Sequence, residues 1–97
     1  MNLSVCGTAH NRSANEERVI AFLDGLKGKE RETVYPTKGP EGIMTRFKFG
    51  YDTACRMRLR LQGRYTYRLR GAFQGLMPGD WLWGHPDAIK QLQEEGR

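Results

Sequence analysis

The sequence predicts a small α+β domain, in which an antiparallel sheet of about four strands packs with an N-terminal amphipathic helix and a short C-terminal helix. Three observations favour this class. A capped amphipathic segment follows Ser13, apolar and polar residues alternate over much of 43–70, and a helical segment that begins with proline lies near the end. A chain of 97 residues has the size of one compact domain, so we expect residues 1–97 to form a single unit.

The N-terminal part contains the clearest helical signal. Residues 2–6 are first predicted to form a brief strand that runs into a loop. Ser13 and Glu16 then have the spacing of a capping box, in which each side chain satisfies a backbone N–H of the other residue. Apolar residues follow at helical spacing, which predicts a helix over 14–27 that stops at Gly28.

The middle of the chain combines a loop with a predicted strand. Residues 28–42 are charged and broken by prolines and glycines, so we expect a mobile loop, interrupted at most by a short strand at 32–35. From Ile43 to Tyr51, apolar residues alternate with polar ones, which is typical of a half-buried strand.

Residues 56–70 are predicted to form a β-hairpin, because arginine alternates with apolar residues on both sides of Gln62-Gly63. A three-residue loop at 62–64 pairs Leu61 with Tyr65 and keeps the two faces sorted, whereas a two-residue loop would mix them. The predicted core face comprises Met57, Leu59, Leu61, Tyr65, Tyr67 and Leu69. The other face comprises Arg56, Arg58, Arg60, Thr66, Arg68 and Arg70.

The C-terminal part is predicted to contain a turn, a strand and a helix. Proline and glycine occupy the central positions of a type II turn at 77–80, which leads into a short aromatic strand at 81–83. Pro86 suits the first turn of a helix, and Ile89 and Leu92 would lie on one of its faces.

Charge is concentrated in the predicted hairpin. The net charge is +5, from 16 basic and 11 acidic residues, and no acidic residue occurs between Asp52 and Asp80. Arginine binds phosphate or carboxylate through a planar fork of donors, so a row of arginines on a sheet matches a polyanionic partner. The candidate binding residues are Arg56, Arg58, Arg60, Arg64, Arg68 and Arg70, extended by Arg46 and Lys48 of the adjacent strand.

The arginines have a second interpretation. Their long stems would shield the sheet from water, and their guanidinium groups would be solvated or paired with acids of the first helix, such as Glu16, Glu17 or Asp24. Lysine would serve solubility equally well, and its absence from the six favours the binding interpretation.

The aromatic residues divide between core and surface. Tyr65 and Tyr67 fall on the predicted core face, which argues against base stacking by these two rings. Trp81 and Trp83 share one side of a short strand and are candidates for an apolar anchor on a protein partner.

Metal binding and catalysis have little support in the sequence. Cys6, His10, Cys55 and His85 do not form the two tight pairs typical of structural zinc sites, so we expect no metal and no cofactor. No phosphate loop, paired catalytic carboxylates or oriented Cys/His pair is evident, and we expect no enzymatic activity. Reduced thiols are the simplest state of the two cysteines, with a Cys6–Cys55 bridge as the alternative.

Two functional hypotheses follow. The first is non-enzymatic, salt-dependent binding of the DNA or RNA backbone through the arginine-faced hairpin. The second is a small accessory or inhibitor protein, of the kind that phages and mobile elements encode, docking on a larger host protein such as a nucleic-acid-processing enzyme. It would use the same arginines on an acidic or DNA-binding surface. Because the sequence has no long apolar run and no signal-peptide pattern, we expect a cytoplasmic protein with no membrane partner.

Overall fold

The computed structural model describes residues 13–97, so the predicted strand at 2–6 lies outside the described part. The described residues form three strands in an antiparallel sheet of order β1-β3-β2, together with helices. The α+β class is confirmed, with three strands in place of about four. In chain order the elements are α1 (Ala14–Asp24), a 3-10 helix (Gly28–Glu32), β1 (Val34–Pro36), α2 (Ile43–Phe47), α3 (Tyr51–Arg60), β2 (Thr66–Arg68), β3 (Trp81–Gly84) and α4 (Pro86–Glu95).

The first helix and its cap confirm the sequence prediction. The side chain of Ser13 accepts a hydrogen bond from the backbone N–H of Glu16 at 3.1 Å, which satisfies one orphan donor at the start of α1. Val19 and Leu23 are fully buried, as the apolar spacing predicts. The helix ends at Asp24, before the predicted stop at Gly28, and the N–H of Gly25 makes the last helical hydrogen bond, to the carbonyl of Ala21 at 3.0 Å.

The C-terminal elements were also predicted correctly. Gly79 has a φ of +92°, as the third position of a type II turn requires, and the N–H of Asp80 donates to the carbonyl of Met77 at 3.0 Å. β3 follows directly, and α4 begins at Pro86 and buries Ile89 on its inner face.

The predicted strand at 56–61 is wrong, because Tyr51–Arg60 forms the helix α3. Ala54, Met57 and Leu61 are buried and recur at helical spacing, so they form one apolar stripe against the core. Leu59, which the hairpin would have buried, is 62% exposed. Arg56 and Arg60, four residues apart, therefore lie on the same side of the helix, while Arg58 projects from another side, so the predicted row of three arginines does not form.

The predicted strand from Ile43 to Tyr51 is also wrong. α2 occupies Ile43–Phe47, and its two terminal residues, four positions apart, are buried on one side. Lys48 then adopts a left-handed conformation with a φ of +58°, which ends the helix before α3 begins.

The second half of the predicted hairpin does contain a strand, but its partner differs. β2 pairs with β3, with Thr66 opposite Trp83 and Arg68 opposite Trp81. Residues directly opposite each other in an antiparallel pair project from the same face, so Arg68 and Trp81 are neighbours. α3 is joined to this strand by a 2.7 Å hydrogen bond that Thr66 Oγ1 donates to the carbonyl of Arg58.

The sheet separates two apolar clusters. Successive residues of a strand face opposite sides, so Trp83 packs into the cluster formed by α1, α2 and α3, while Leu82 packs against α4. Trp83 is fully buried, and its indole N–H donates to Thr37 Oγ1 at 2.9 Å. Its predicted role as an exposed anchor is therefore wrong. Tyr65 is also buried, as predicted, and its hydroxyl donates to Asp24 at 3.0 Å.

The segment expected to be a loop at 28–42 contains the 3-10 helix and β1, so the short strand lies at Val34–Pro36. Among residues 13–97, no helix is long and apolar enough to cross a membrane.

Candidate functional site

The six arginines of the predicted hairpin do not form one row on a common face. Arg60 and Arg64 each contact a neighbouring side chain of the fold. Arg60 Nε lies 2.6 Å from Glu16 Oε1, and this carboxylate is only 3% exposed. The pair joins α3 to α1, as the second interpretation of the arginines expected. Arg64 Cζ lies 5.5 Å from the ring centroid of Tyr65. Hydrogen bonding to the Tyr65 side chain, then the charge interaction with Tyr65 and a smaller one with Asp24, raise the pKa of the Arg64 guanidinium.

Four further predicted binding residues lie elsewhere on the surface. Arg56 and Arg70 are exposed, and Lys48 is exposed at the end of α2. Arg46 lies over aromatic rings that pack against the core, with its Cζ 4.7 Å from the ring centroid of Phe22. None of these four residues lines the cleft that Arg58 and Arg68 share.

Two of the predicted arginines, Arg58 and Arg68, line one open cleft with a volume of about 540 Å³. This volume is within the range of about 300–1,000 Å³ that is usual for ligand sites. Sequence reasoning missed two other lining residues, Lys38 and Tyr51. We call the site the cationic cleft, and its charged and aromatic lining residues are Lys38, Tyr51, Arg58, Arg68, Asp80 and Trp81.

Two elements form opposite walls of the cationic cleft. α3 contributes Tyr51 and Arg58, which are seven residues apart and so lie two turns apart on the same side of the helix. The β2–β3 pair contributes Arg68 and, directly opposite it in the register, Trp81.

A tightly bonded turn positions the remaining cation, Lys38. Thr37 receives the buried indole hydrogen bond, and its carbonyl accepts from the N–H of Met44 at 3.1 Å. Gly42 packs so closely on this turn that an added Cβ would lie 2.5 Å from the carbonyl oxygen of Lys38. The backbone that carries the lysine is therefore held in place on both sides.

Two of the cations of the cleft, Lys38 and Arg58, lie against its aromatic rings. Lys38 Nζ is 4.3 Å from the ring centroid of Tyr51, which is 44% exposed. Arg58 Cζ is 4.9 Å from the centroid of Trp81 and 5.9 Å from that of Tyr51, so this guanidinium lies between the two walls. Exposed cation–π contacts of this kind are worth about 0.5–1 kcal/mol, too little to prevent the cations from turning towards an anion.

The only acidic residue among the described lining residues, Asp80, is directed into its own turn. Its Oδ2 accepts a hydrogen bond from the N–H of Met77 at 2.9 Å. The ion pairs found among residues 13–97 engage Arg31, Arg60 and Arg97, and none of them includes a cation of the cleft. The cleft thus holds three cations and one carboxylate, and none of the three cations has an ion pair with a described carboxylate.

Arg58 also has an unsatisfied donor. Its Nε is buried and has no hydrogen-bond partner among the described residues. A buried donor left unpaired costs about 1–3 kcal/mol, and more when the group is charged. A movement of this side chain onto an anionic ligand would recover that cost.

A second cavity, of about 290 Å³, has the opposite charge character. It lies beside α4 and is lined by Glu32 and Glu95, with no basic residue among its described lining residues. Hydrogen bonds from Gln91 and then Arg97 lower the pKa of Glu95. An anion would be repelled here and attracted to the cationic cleft.

The residues considered for metal binding are not brought together in the described part. Residues 13–97 contain no group of three or more histidine, cysteine or acidic side chains placed to hold a metal ion. His85 caps α4, and its Nδ1 accepts from the N–H of Asp87 at 3.0 Å. Cys55 is half-buried, while Cys6 and His10, and with them the alternative of a bridge, lie outside the described residues.

The fold and the cleft thus define a small α+β protein in which residues 13–97 form a concave surface that combines cations and aromatic rings. No protein-family model matches the sequence, and comparisons with curated proteins and with solved structures found no significant match.

Proposed function

We propose that the protein is a non-enzymatic nucleic-acid-binding module that holds backbone phosphates of DNA or RNA in the cationic cleft. The observation that carries this proposal is the convergence of Lys38, Arg58 and Arg68 on one cleft. They come from three separate segments, and none has an ion pair with a described carboxylate. This convergence replaces the arginine-faced hairpin, which the structure does not contain.

Phosphate suits these cations for a chemical reason. A guanidinium offers its donors as a planar fork that meets two oxygens of one phosphate, while the lysine acts as a mobile point charge. A concave site bordered by aromatic rings also strengthens each charge interaction, because less water separates the charges than on an open surface. These properties support a polyanion as the partner.

The three cations of the cleft predict how strongly the binding of nucleic acid depends on salt. Each phosphate that is neutralised on a single strand contributes a slope of about −0.7 in a plot of log affinity against log salt concentration. Three cations engaged at once should therefore give a slope of about −2. Affinity should fall steeply with salt and depend weakly on sequence.

The test is fluorescence anisotropy with labelled single-stranded DNA, single-stranded RNA and duplex DNA, beginning at about 50 mM salt. The double variant Arg58→Gln/Arg68→Gln should bind weakly and should lose most of the salt slope. The matched control is Arg56→Gln/Lys90→Gln, which removes the same charge from exposed positions outside the cleft. Circular dichroism verifies that both variants keep the fold.

The outcomes separate the alternatives. If both double variants lose affinity equally, the binding is diffuse attraction to a basic protein and the cleft is not its site. If no nucleic acid binds at low salt, while a purified host protein still binds after nuclease treatment, the accessory or inhibitor role replaces this proposal.

A further inference from the structure

We infer that the cationic cleft accepts an unpaired nucleotide, with its base against Trp81 and its phosphates on the three cations, so that the protein prefers single strands to duplexes. This inference rests on the proposed function and specifies its partner. Base stacking was disfavoured from the sequence, because the hairpin placed the tyrosines of 65–67 behind the arginines. The structure brings a different pair of rings, Tyr51 and Trp81, to the same cleft as the cations.

Trp81 is placed where a ligand can reach it. It is the first residue of β3 and is half-buried, whereas Trp83, two residues later on the same face of the sheet, is fully buried. The cross-strand neighbour of Trp81 is Arg68, so an aromatic face and a phosphate-binding group occur side by side on a rigid strand pair. A nucleotide likewise carries its phosphate close to its base.

The wall formed by α3 also places an aromatic ring beside a cation. Tyr51 is 44% exposed, and Lys38 Nζ lies 4.3 Å from its ring centroid. The guanidinium of Arg58 lies between the rings of Tyr51 and Trp81. Bases stack on aromatic rings and also on guanidinium planes, so this wall offers both kinds of surface.

The geometry favours an unpaired base over a paired one. A base within a duplex has both of its faces covered by neighbouring bases, and it must be extruded from the stack before it can enter a cleft. A base in a single strand exposes its face at much lower cost. The cleft is also bounded by residues from 36–38, α3 and β2–β3, which suits one splayed nucleotide.

The test compares ligands that differ only in their bases. An oligonucleotide of eight thymidines, an oligonucleotide of the same length with abasic sites, and a duplex of the same length are titrated by anisotropy at one salt concentration. The corresponding oligouridine shows whether DNA or RNA is preferred. The intact single strand should bind at least about fivefold more tightly than the abasic strand, which corresponds to the lower limit of one stacking contact.

Variants then test whether the ring of Trp81 causes the difference in affinity between the intact and the abasic strands. Trp81→Leu should bind the intact and the abasic strands alike, and Trp81→Phe should recover part of the difference. Phe73→Leu is the matched control, because Phe73 lines the second cavity and lies outside the cationic cleft. It should leave the preference unchanged.

Two results would overturn the inference. One is equal affinity of the intact and abasic strands for the unchanged protein, and the other is a preference that survives in Trp81→Leu. In both cases the strands still bind, so the proposed function stands. Absence of binding to every strand at low salt would instead remove the proposed function itself.

Discussion

Replacement of Met57 and Leu59 by alanine tests whether residues 51–60 form a helix. In a hairpin the two side chains share the core face, and both replacements would be costly. In the structure Met57 is fully buried on the inner face of α3, whereas Leu59 is 62% exposed. Truncation of a buried methionine to alanine costs about 2–5 kcal/mol, from lost transfer free energy and the cavity that remains. An exposed replacement usually stays within about 0.5 kcal/mol.

These energies convert into a large difference in melting temperature. For a domain of 60–100 residues, each 1 kcal/mol shifts the melting temperature by about 4–8 °C, so Met57→Ala should lower it by at least about 8 °C. Leu59→Ala should lower it by less than about 4 °C. Urea denaturation followed by circular dichroism gives the free energies of unfolding, and an unchanged slope shows that stability alone has changed. Equal destabilisation by the two replacements would refute the helix.

Two further predictions concern the elements that hold the cleft. Thr66 is fully buried, and Thr66→Val should destabilise the protein by about 1–3 kcal/mol, because the carbonyl of Arg58 loses the hydrogen bond from the Thr66 hydroxyl. Thr66→Ser keeps the hydroxyl and should cost less stability, as urea denaturation would show. An unchanged free energy of unfolding in Thr66→Val would contradict this link between α3 and β2. Gly42→Ala should weaken nucleic-acid binding in the anisotropy assay, because its Cβ would displace the turn that carries the lysine. Gly71→Ala, where an added Cβ meets nothing within 4 Å, is its control, and equal affinities of the two variants would count against the turn's role.

The sequence predicted those elements whose signals are local. The hydroxyl of Ser13 caps α1, and Pro86 begins α4, because capping and fixed φ angles act within a few residues of themselves. The turn at 77–80 was predictable for the same reason, since Gly79 supplies the positive φ that a type II turn needs.

The prediction of a hairpin was wrong because the spacing of apolar residues in this short segment fits both a strand and a helix. Over 56–61 the alternation of arginine and apolar residues fits a strand, but Met57 and Leu61 are also four residues apart and fit a helix. Extension of the segment back to Ala54 would have favoured the helix, as would the high helix propensity of alanine, methionine, leucine and arginine. Residues 54–61 contain no β-branched residue, which is unusual for a strand.

The cleft was harder to predict than the elements. Arg58 and Arg68 were expected on one face of the hairpin, and both line the cleft, but Arg58 comes from a helix and Arg68 from a strand. Lys38 and Tyr51 carry no local signal of a site, because their proximity depends on how α3 packs against the sheet. Once α3 is known to be helical, the spacing of Tyr51 and Arg58 by two turns would have placed them on one side.

The most direct test of the cleft as the binding site uses the two tryptophans of the chain. Trp83 is fully buried and Trp81 lines the cleft, so the fluorescence that acrylamide quenches arises mainly from Trp81. A saturating single-stranded oligonucleotide should shield Trp81, and the quenchable fraction should fall over the same concentration range in which anisotropy shows binding. Binding seen by anisotropy with no change in the quenching of Trp81 would contradict the account.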